Sequence, residues 1–154
     1  PIFKQNNLVD LVNENINLLQ ELDDSIKINF IKSDNIVLLE CDREQIGRVF
    51  LNLIKNSIES INQRAENNSN FSKNITIELH QTDSHITIII EDNGIGLSKL
   101  KNNIKEILNP YFTTKKNGTG LGLSIVNKIL NDHNGKIQFL TIKEGARIKI
   151  DFIK

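Results

Sequence analysis

The sequence predicts an α+β two-layer sandwich, a mixed and mostly antiparallel sheet with helices on one face. Two pairs of β-branched, alternating segments point to the sheet: 74–81 with 85–92, and 136–142 with 146–153. Three segments with apolar residues at helical spacing, 8–22, 42–63 and 119–135, supply the second layer. The order α-β-β-α-β-β-loop-α-β-β runs without linker or internal repeat, so the 154 residues form one domain, 1–154.

The first helix, "LVDLVNENINLLQEL", spaces Leu8, Leu11, Val12, Asn15, Leu18, Leu19 and Leu22 along one face. "SIKINFI" (25–31) alternates as a strand, and "NIVLLE" (35–40) is a second one after a turn at Ser33-Asp34. A long helix follows over 42–63, with Asp42 as N-cap and Gln45 completing a capping-box pattern. Its apolar face is Ile46, Val49, Phe50, Leu53, Ile54, Ile58 and Ile61. The Asn/Ser-rich stretch 64–74 is a surface loop. "NITIELHQ" and "HITIIIED" form a hairpin across Thr82-Asp83-Ser84. Residues 93–118 are irregular, with short helical turns near 97–108. The last helix carries Leu123, Ile125, Val126, Ile129 and Leu130 and stops at Asn134-Gly135. A closing hairpin turns at Glu144-Gly145.

Lys+Arg and Asp+Glu both total 19, so there is no basic surplus of the kind a nucleic-acid partner requires. No apolar run approaches the roughly 20 residues of a membrane span. Cys41 is the single cysteine, which excludes a disulfide framework or Cys-rich metal site and fits a reducing, cytoplasmic compartment. The opening "PIFKQNNLVD" lacks Met, so a piece of a longer protein is expected.

Four short stretches carry candidate chemistry, each with a plainer alternative. "NLIKN" places Asn52 and Asn56 one turn apart on a helix. They are either a solvated polar edge or two side-chain carbonyls for Mg²⁺ and phosphate, since Mg²⁺ takes hard oxygen ligands and keeps several waters. "DNGIG" is either a tight turn or a strand-end site. In the second case Asp92 accepts from an exocyclic amine such as adenine's, and Gly94 and Gly96 let the backbone approach a planar base. "GTGLGLS" (118–124) is either a packing turn or a set of accessible N–H groups that suit phosphate at a helix N-terminus. It matches neither G-x-G-x-x-G nor the P-loop pattern. Lys115 and Lys116 are a solvated loop or the charge of a closing lid, and Phe112 is a satellite core residue or that lid's latch. His80, His85 and His133 have no metal spacing and are structural or surface residues.

Taken together and in this order, the four stretches resemble the catalytic, ATP-binding domain of bacterial sensor histidine kinases, which has the Bergerat (GHKL) fold. The resemblance covers roughly residues 4–153. "NPYFTTKKNGTGLGLSIVNKIL" is most similar to nitrogen-regulation sensors of the NtrY-like branch. It implies that "NLIKNSIES" is the N box, with Asn56 the main Mg²⁺ ligand and Asn52 assisting at the triphosphate. "EDNGIGL" would be the first glycine box, with Asp92 reading the adenine amine, and "NPYFTTK" the F box, with Phe112 setting the lid. In the second glycine box Gly118, Gly120 and Gly122 would wrap the phosphates, with further N–H groups from Thr119 and Leu121. Lys115 would lie near the γ-phosphate and act with Asn52 and Asn56 in transfer. Thr113 and Leu123 complete the implied nucleotide contacts.

The resemblance also implies a reaction. Related ATPases (gyrase B subunit, the MutL mismatch-repair protein, the ninety-kilodalton heat-shock chaperone) carry Glu four residues before the Mg²⁺-binding Asn, as general base for water. Here that residue is Asn52, which takes no proton at neutral pH. This favours phosphoryl transfer to an external acceptor, achieved by positioning and charge neutralisation. Many relatives have a basic residue where this chain has Glu59; Lys55 and Arg64 are candidates to compensate.

No histidine here is followed by the acidic residue of a phosphoacceptor helix, so the acceptor histidine is expected on the dimerisation domain of the same full-length kinase. The further partner is a cognate response regulator. The fragment itself is expected to be monomeric and cytoplasmic, the full protein anchored in the bacterial inner membrane. Alternatives within the same fold are a hydrolytic ATPase, an anti-sigma-type serine kinase and a module that holds nucleotide without transfer.

Overall fold

The computed structural model describes residues 1–96 and 121–154. In chain order its elements are β1 (Phe3–Asn7), α1 (Leu8–Leu22), β2 (Lys27–Lys32), β3 (Leu38–Asp42), α2 (Arg43–Asn67), β4 (Asn74–Gln81), β5 (His85–Asp92), α3 (Leu121–Asp132), β6 (Gly135–Leu140) and β7 (Ala146–Ile153). The main sheet has five strands in the order β2-β4-β5-β7-β6. Only β2 and β4 run parallel; the other three pairings are antiparallel. The helices pack on one another and on the sheet, α1 on α2, α2 on β5 and α3 on both α2 and β6. This is the expected sandwich.

Period-two alternation builds the layer beneath the helices. Ile75, Ile77 and Leu79 of β4, Ile86, Ile88 and Ile90 of β5, and Ile148, Ile150 and Phe152 of β7 are all buried. Each such side chain contributes about 1.5–3 kcal/mol when fully removed from water. They meet Ile46, Val49, Phe50, Leu53, Ile54 and Ile61 of α2 and Val126, Ile129 and Leu130 of α3 in one continuous core.

Several local expectations change. β1 was not foreseen, because "FKQNN" has no apolar alternation. It is held by antiparallel pairing with β3, from Phe3 opposite Asp42 to Asn7 opposite Leu38, as a separate two-stranded sheet. Asn7 then caps α1, its Oδ1 accepting from the N–H of Val9 at 3.1 Å and of Val37 at 3.0 Å. On α1 the buried face is Leu8, Val9, Leu11, Val12, Ile16 and Leu19, whereas Leu18 and Leu22 face solvent. Helix α2 extends to Asn67, one turn beyond the expected end, so the loop starts later.

The capping box at Asp42 is half formed. The Asp42 carboxylate accepts from the Gln45 N–H at 3.0 Å, but the Asp42 N–H donates to His133 Nε2 at 3.1 Å and not to the Gln45 side chain. At the end of α3, Asn134 takes the left-handed backbone (φ 55°) and Gly135 begins β6. A β-carbon on Gly135 would lie 2.8 Å from the Phe152 ring. The short turns expected near 97–108 lie outside the described residues.

Candidate functional site

The alternation of β5 delivers one acid to the wrong-looking side of the sheet. Ile86, Ile88 and Ile90 point into the core, and the next residue in that column is Asp92, only 5% exposed. Its neighbours across the sheet are Ile75 on β4 and Ala146 on β7, and the small Ala leaves room for a carboxylate. Asp92 Oδ1 accepts from the Gly94 N–H at 2.8 Å. The Ser57 and Ser60 side chains and the Ala146 main chain lie around the carboxyl. Burial pushes its pKa above the usual carboxylate value, while these polar neighbours pull in the opposite direction.

Helix α2 covers this acid. Ser57, 2% exposed, occupies a core position of its apolar stripe, where Ile58 had been expected and is only partly buried. Further along, the Ile95 N–H is shared between Ser60 Oγ at 3.0 Å and Ser60 O at 3.1 Å. Arg64 Nη1 donates to Asn93 O at 2.6 Å. Asn93 Oδ1 in turn accepts from the Asn74 N–H at 3.0 Å, tying the segment to β4.

The glycines of "DNGIG" serve close packing. A β-carbon on Gly94 would lie 2.3 Å from Ser60 Oγ and 2.6 Å from the Ile61 N. Gly96 has φ +87°, and a β-carbon there would meet Gly145 O at 2.7 Å. Gly145, also left-handed at φ +86°, lies so close to β5 that a β-carbon would be 1.8 Å from Asp92 O. The segment is thus pressed between α2 and the β6–β7 turn.

One end of α2 faces α3. Asn52 and Asn56 are half-buried on α2, and a β-carbon on Gly122, in the first turn of α3, would lie 3.9 Å from Asn52 Oδ1. Leu123 packs partly buried against the core. The structure therefore brings Asn52 beside the glycine-box helix and places Asp92 under Ser57, the residue after Asn56. Phe112, Thr113, Lys115, Gly118, Thr119 and Gly120 lie outside the described residues, as does the whole stretch expected to form a lid; Leu121 is the first residue of α3.

Among the described residues no cluster of His, Cys, Asp and Glu could hold a metal ion. The donor set near α3 is amide oxygen, which fits a hard divalent cation that shares its shell with phosphate and water. Arg64 is committed elsewhere: besides Asn93 it lies 4.0 Å over the Phe71 ring and 4.0 Å from Glu144. Lys55 is exposed. A cavity of about 300 Å³ at the Arg64 end is lined by Asn67, Gly94, Ile95, Lys143 and Gly145. A larger one, about 700 Å³, lies among Phe3, Leu38, His133 and Ile153 and holds none of the motif residues. We assign no nucleotide role to it, because its carboxylates, Glu40 and Asp132, are exposed and not buried as Asp92 is.

Ser57 and Ser60 had not been singled out. The available signal was Ser57 itself, a polar residue on an otherwise apolar 3.6-residue stripe.

The sequence model of the histidine kinase-, DNA gyrase B-, and HSP90-like ATPase family matches residues 41–154. The signal transduction histidine-protein kinase AtoS of Escherichia coli is 35% identical over 143 residues, 91% of this chain and 22% of that protein. The NtrY-like sensor histidine kinase of Rickettsia conorii is 33% identical over 153 residues, 99% of this chain and 24% of that protein. The chain thus spans less than a third of the length of these relatives. The catalytic domain of the histidine kinase ThkA superposes with a TM-score of 0.82 at 30% identity, covering 99% of this chain and 95% of that one. ThkA has also been solved in complex with the response regulator protein TrrA (TM-score 0.78, 28% identity, 99% of this chain and 42% of that one).

Proposed function

This chain belongs to the histidine kinase-, DNA gyrase B-, and HSP90-like ATPase family and is its ATP-binding catalytic part; from that premise we propose that it binds ATP with Mg²⁺ and gives the γ-phosphate to a histidine on a separate domain. A response regulator then receives the phosphate, the kind of partner with which ThkA is found.

The observation that carries the reading is that one helix, α2, both bears Asn52 and covers Asp92 at the end of β5. Asp92 is a buried acceptor suited to an exocyclic amine, held by α2. Asn52 stands next to the first turn of α3 and is an amide, so it positions and polarises but cannot act as general base for water. Asn56 and Asn52 would hold Mg²⁺, which supplies charge neutralisation at the phosphates when bound. The N-terminus of α3 and the glycines that precede it would receive phosphate oxygens, and Lys115 the γ-phosphate. Transfer then depends on alignment and on exclusion of water by the lid around Phe112.

The three histidines do not suit the acceptor role. His133 is 7% exposed and uses both ring nitrogens, Nδ1 with Ile129 O at 2.7 Å and Nε2 with the Asp42 N–H. His80 bonds Glu78 on β4, and His85, the first residue of β5, bonds the neighbouring Ser84. The acceptor therefore belongs to the dimerisation domain of the full-length kinase. The proposed setting is cytoplasmic, with the full protein anchored in the inner membrane; among the described residues no helix is long and apolar enough to cross a membrane.

The deciding experiment supplies labelled ATP, Mg²⁺ and a separate phosphoacceptor domain. Acid-labile, base-stable label on that domain's histidine is the expected result. Label on serine, or release of free phosphate as the main product, sinks the reading.

A further inference from the structure

Arg64 lies in the last turn of α2, against the loop that follows β5. Its guanidinium sits 4.0 Å over the Phe71 ring, and Nη1 donates to Asn93 O at 2.6 Å. Glu144 Oε2, on the β6–β7 turn, stands 4.0 Å from the same nitrogen. The stacked ring and the nearby charge hold the guanidinium in place.

The carbonyl that Arg64 holds belongs to the Asn93–Gly94 peptide. The N–H of that same peptide donates to Asp92 Oδ1 at 2.8 Å. In a planar trans peptide the C=O and N–H point in opposite directions, so fixing one aims the other. A cation on the oxygen also polarises the unit and strengthens the N–H as a donor to the carboxylate.

This peptide needs such a hold. Its plane turns about ψ of Asn93 and φ of Gly94, and glycine resists that rotation little. A β-carbon on Gly94 would lie 2.3 Å from Ser60 Oγ, so packing against α2 demands the compliant residue. The flanks of the loop are anchored without Arg64. Asn93 Oδ1 accepts from the Asn74 N–H at 3.0 Å, and the Ile95 N–H bonds Ser60 Oγ at 3.0 Å and Ser60 O at 3.1 Å. Between those anchors, Arg64 adds control of the tilt of one peptide plane. The loop also borders the cavity of about 300 Å³ lined by Arg64, Gly94 and Lys143, which leaves that peptide room to turn.

We propose that Arg64 is a positioning residue for the adenine acceptor: it locks the Asn93–Gly94 peptide, whose N–H sets the Asp92 carboxylate in the orientation that receives an exocyclic amine. This rests on the reading that Asp92 accepts from the adenine amine. Arg64 acts through one peptide unit and not by contact with the base.

The test measures ATP dissociation constants for the parent, Arg64→Met, Asp92→Ala and the variant carrying both changes. It also records the Gly94 amide proton signal of the parent and of Arg64→Met without nucleotide. Methionine keeps an unbranched stem against Phe71 and removes every donor. Arg64→Met should bind ATP about tenfold more weakly, and its Gly94 signal should move upfield as the bond to Asp92 loosens. In the Asp92→Ala background the same change should cost nothing further. Parental ATP affinity in Arg64→Met, an unmoved Gly94 signal, or an undiminished loss once the Asp92 carboxylate is gone means that Arg64 merely ties helix to loop, and overturns the proposal. Parental ATP affinity in Asp92→Ala overturns the adenine reading instead. In that case, or where Asp92→Ala binds too weakly to measure, the Gly94 signal of Arg64→Met decides whether Arg64 orients Asp92.

Discussion

The main-chain N–H of Asp42 donates to Nε2 of His133 at 3.1 Å, across ninety-one residues of sequence. The donor begins the helix that carries Asn52 and Asn56. The acceptor follows the helix that carries Gly122, and its ring stacks on Phe3 with centroids 4.7 Å apart. One imidazole therefore joins the start of α2, the end of α3 and β1, and fixes how the two helices lie.

Replacing His133 with Leu keeps most of the apolar contact with Phe3 but leaves the Asp42 N–H without its acceptor. The expected loss is about 1–3 kcal/mol of folding stability. Urea unfolding at neutral pH measures it; an unchanged midpoint would show that the bond is dispensable.

Asp92 links function to pH. Burial raises its pKa in the folded protein above the ordinary 3.8. Protonation therefore favours the fold: stability rises as pH falls through the raised folded value and levels off below 3.8, and the full cost of the buried charge is present above the folded value. Asp92→Asn should remove this acid-side slope and make the nucleotide-free domain more stable than the parent at neutral pH. The same variant should bind ATP at least ~10-fold more weakly, because an amide nitrogen can face the amine. Thermal unfolding across pH, paired with calorimetric titration of ATP, checks both halves.

Gly145→Ala tests the pressed turn. The left-handed backbone alone costs roughly 1–2 kcal/mol for a residue with a β-carbon, and here that carbon also collides with the main chain of Asp92. Stability and ATP affinity should fall together, although Gly145 is outside every recognised motif. A variant with parental stability and weakened binding would contradict this.

Asn56→Ala should lower ATP affinity measured with Mg²⁺ by about tenfold or more, and leave affinity measured in chelator nearly unchanged. An equal loss in both conditions would move Asn56 from metal ligation to general packing.

Periodicity made most of this fold legible. The hairpin 74–81/85–92 agrees with the sequence expectation residue for residue, because both strands alternate against a buried face and the turn between them is short. β1 escaped because its strand character comes from Asn6 and Asn7 bonding to β3 and the loop before it, and not from apolar pattern. Leu18 and Leu22 misled because an apolar residue on a helix signals burial only when a neighbour covers it; here α1 packs chiefly on α2, and these two leucines face away from that contact. At the site, the residue types of Asn52, Asn56 and Asp92 were legible from order and spacing. The hold on Asp92 was not, since Ser57, Ser60 and Ala146 are ordinary residues until the sheet and α2 are superposed in space.

Strand β7 lies between β5 and β6, although it is the last of the three to be made. A ribosome that has released residues 1–140 has released two strands that cannot yet touch each other. The gap between them closes only when 146–153 emerge and pair on both edges at once. Until then the isoleucine rows of β5 have no partner on that side, and the growing chain exposes apolar surface and open strand edges. During synthesis, Asp92 gains its cross-strand neighbour Ala146 at that same moment, so the last strand to arrive also closes the walls around the proposed adenine acceptor.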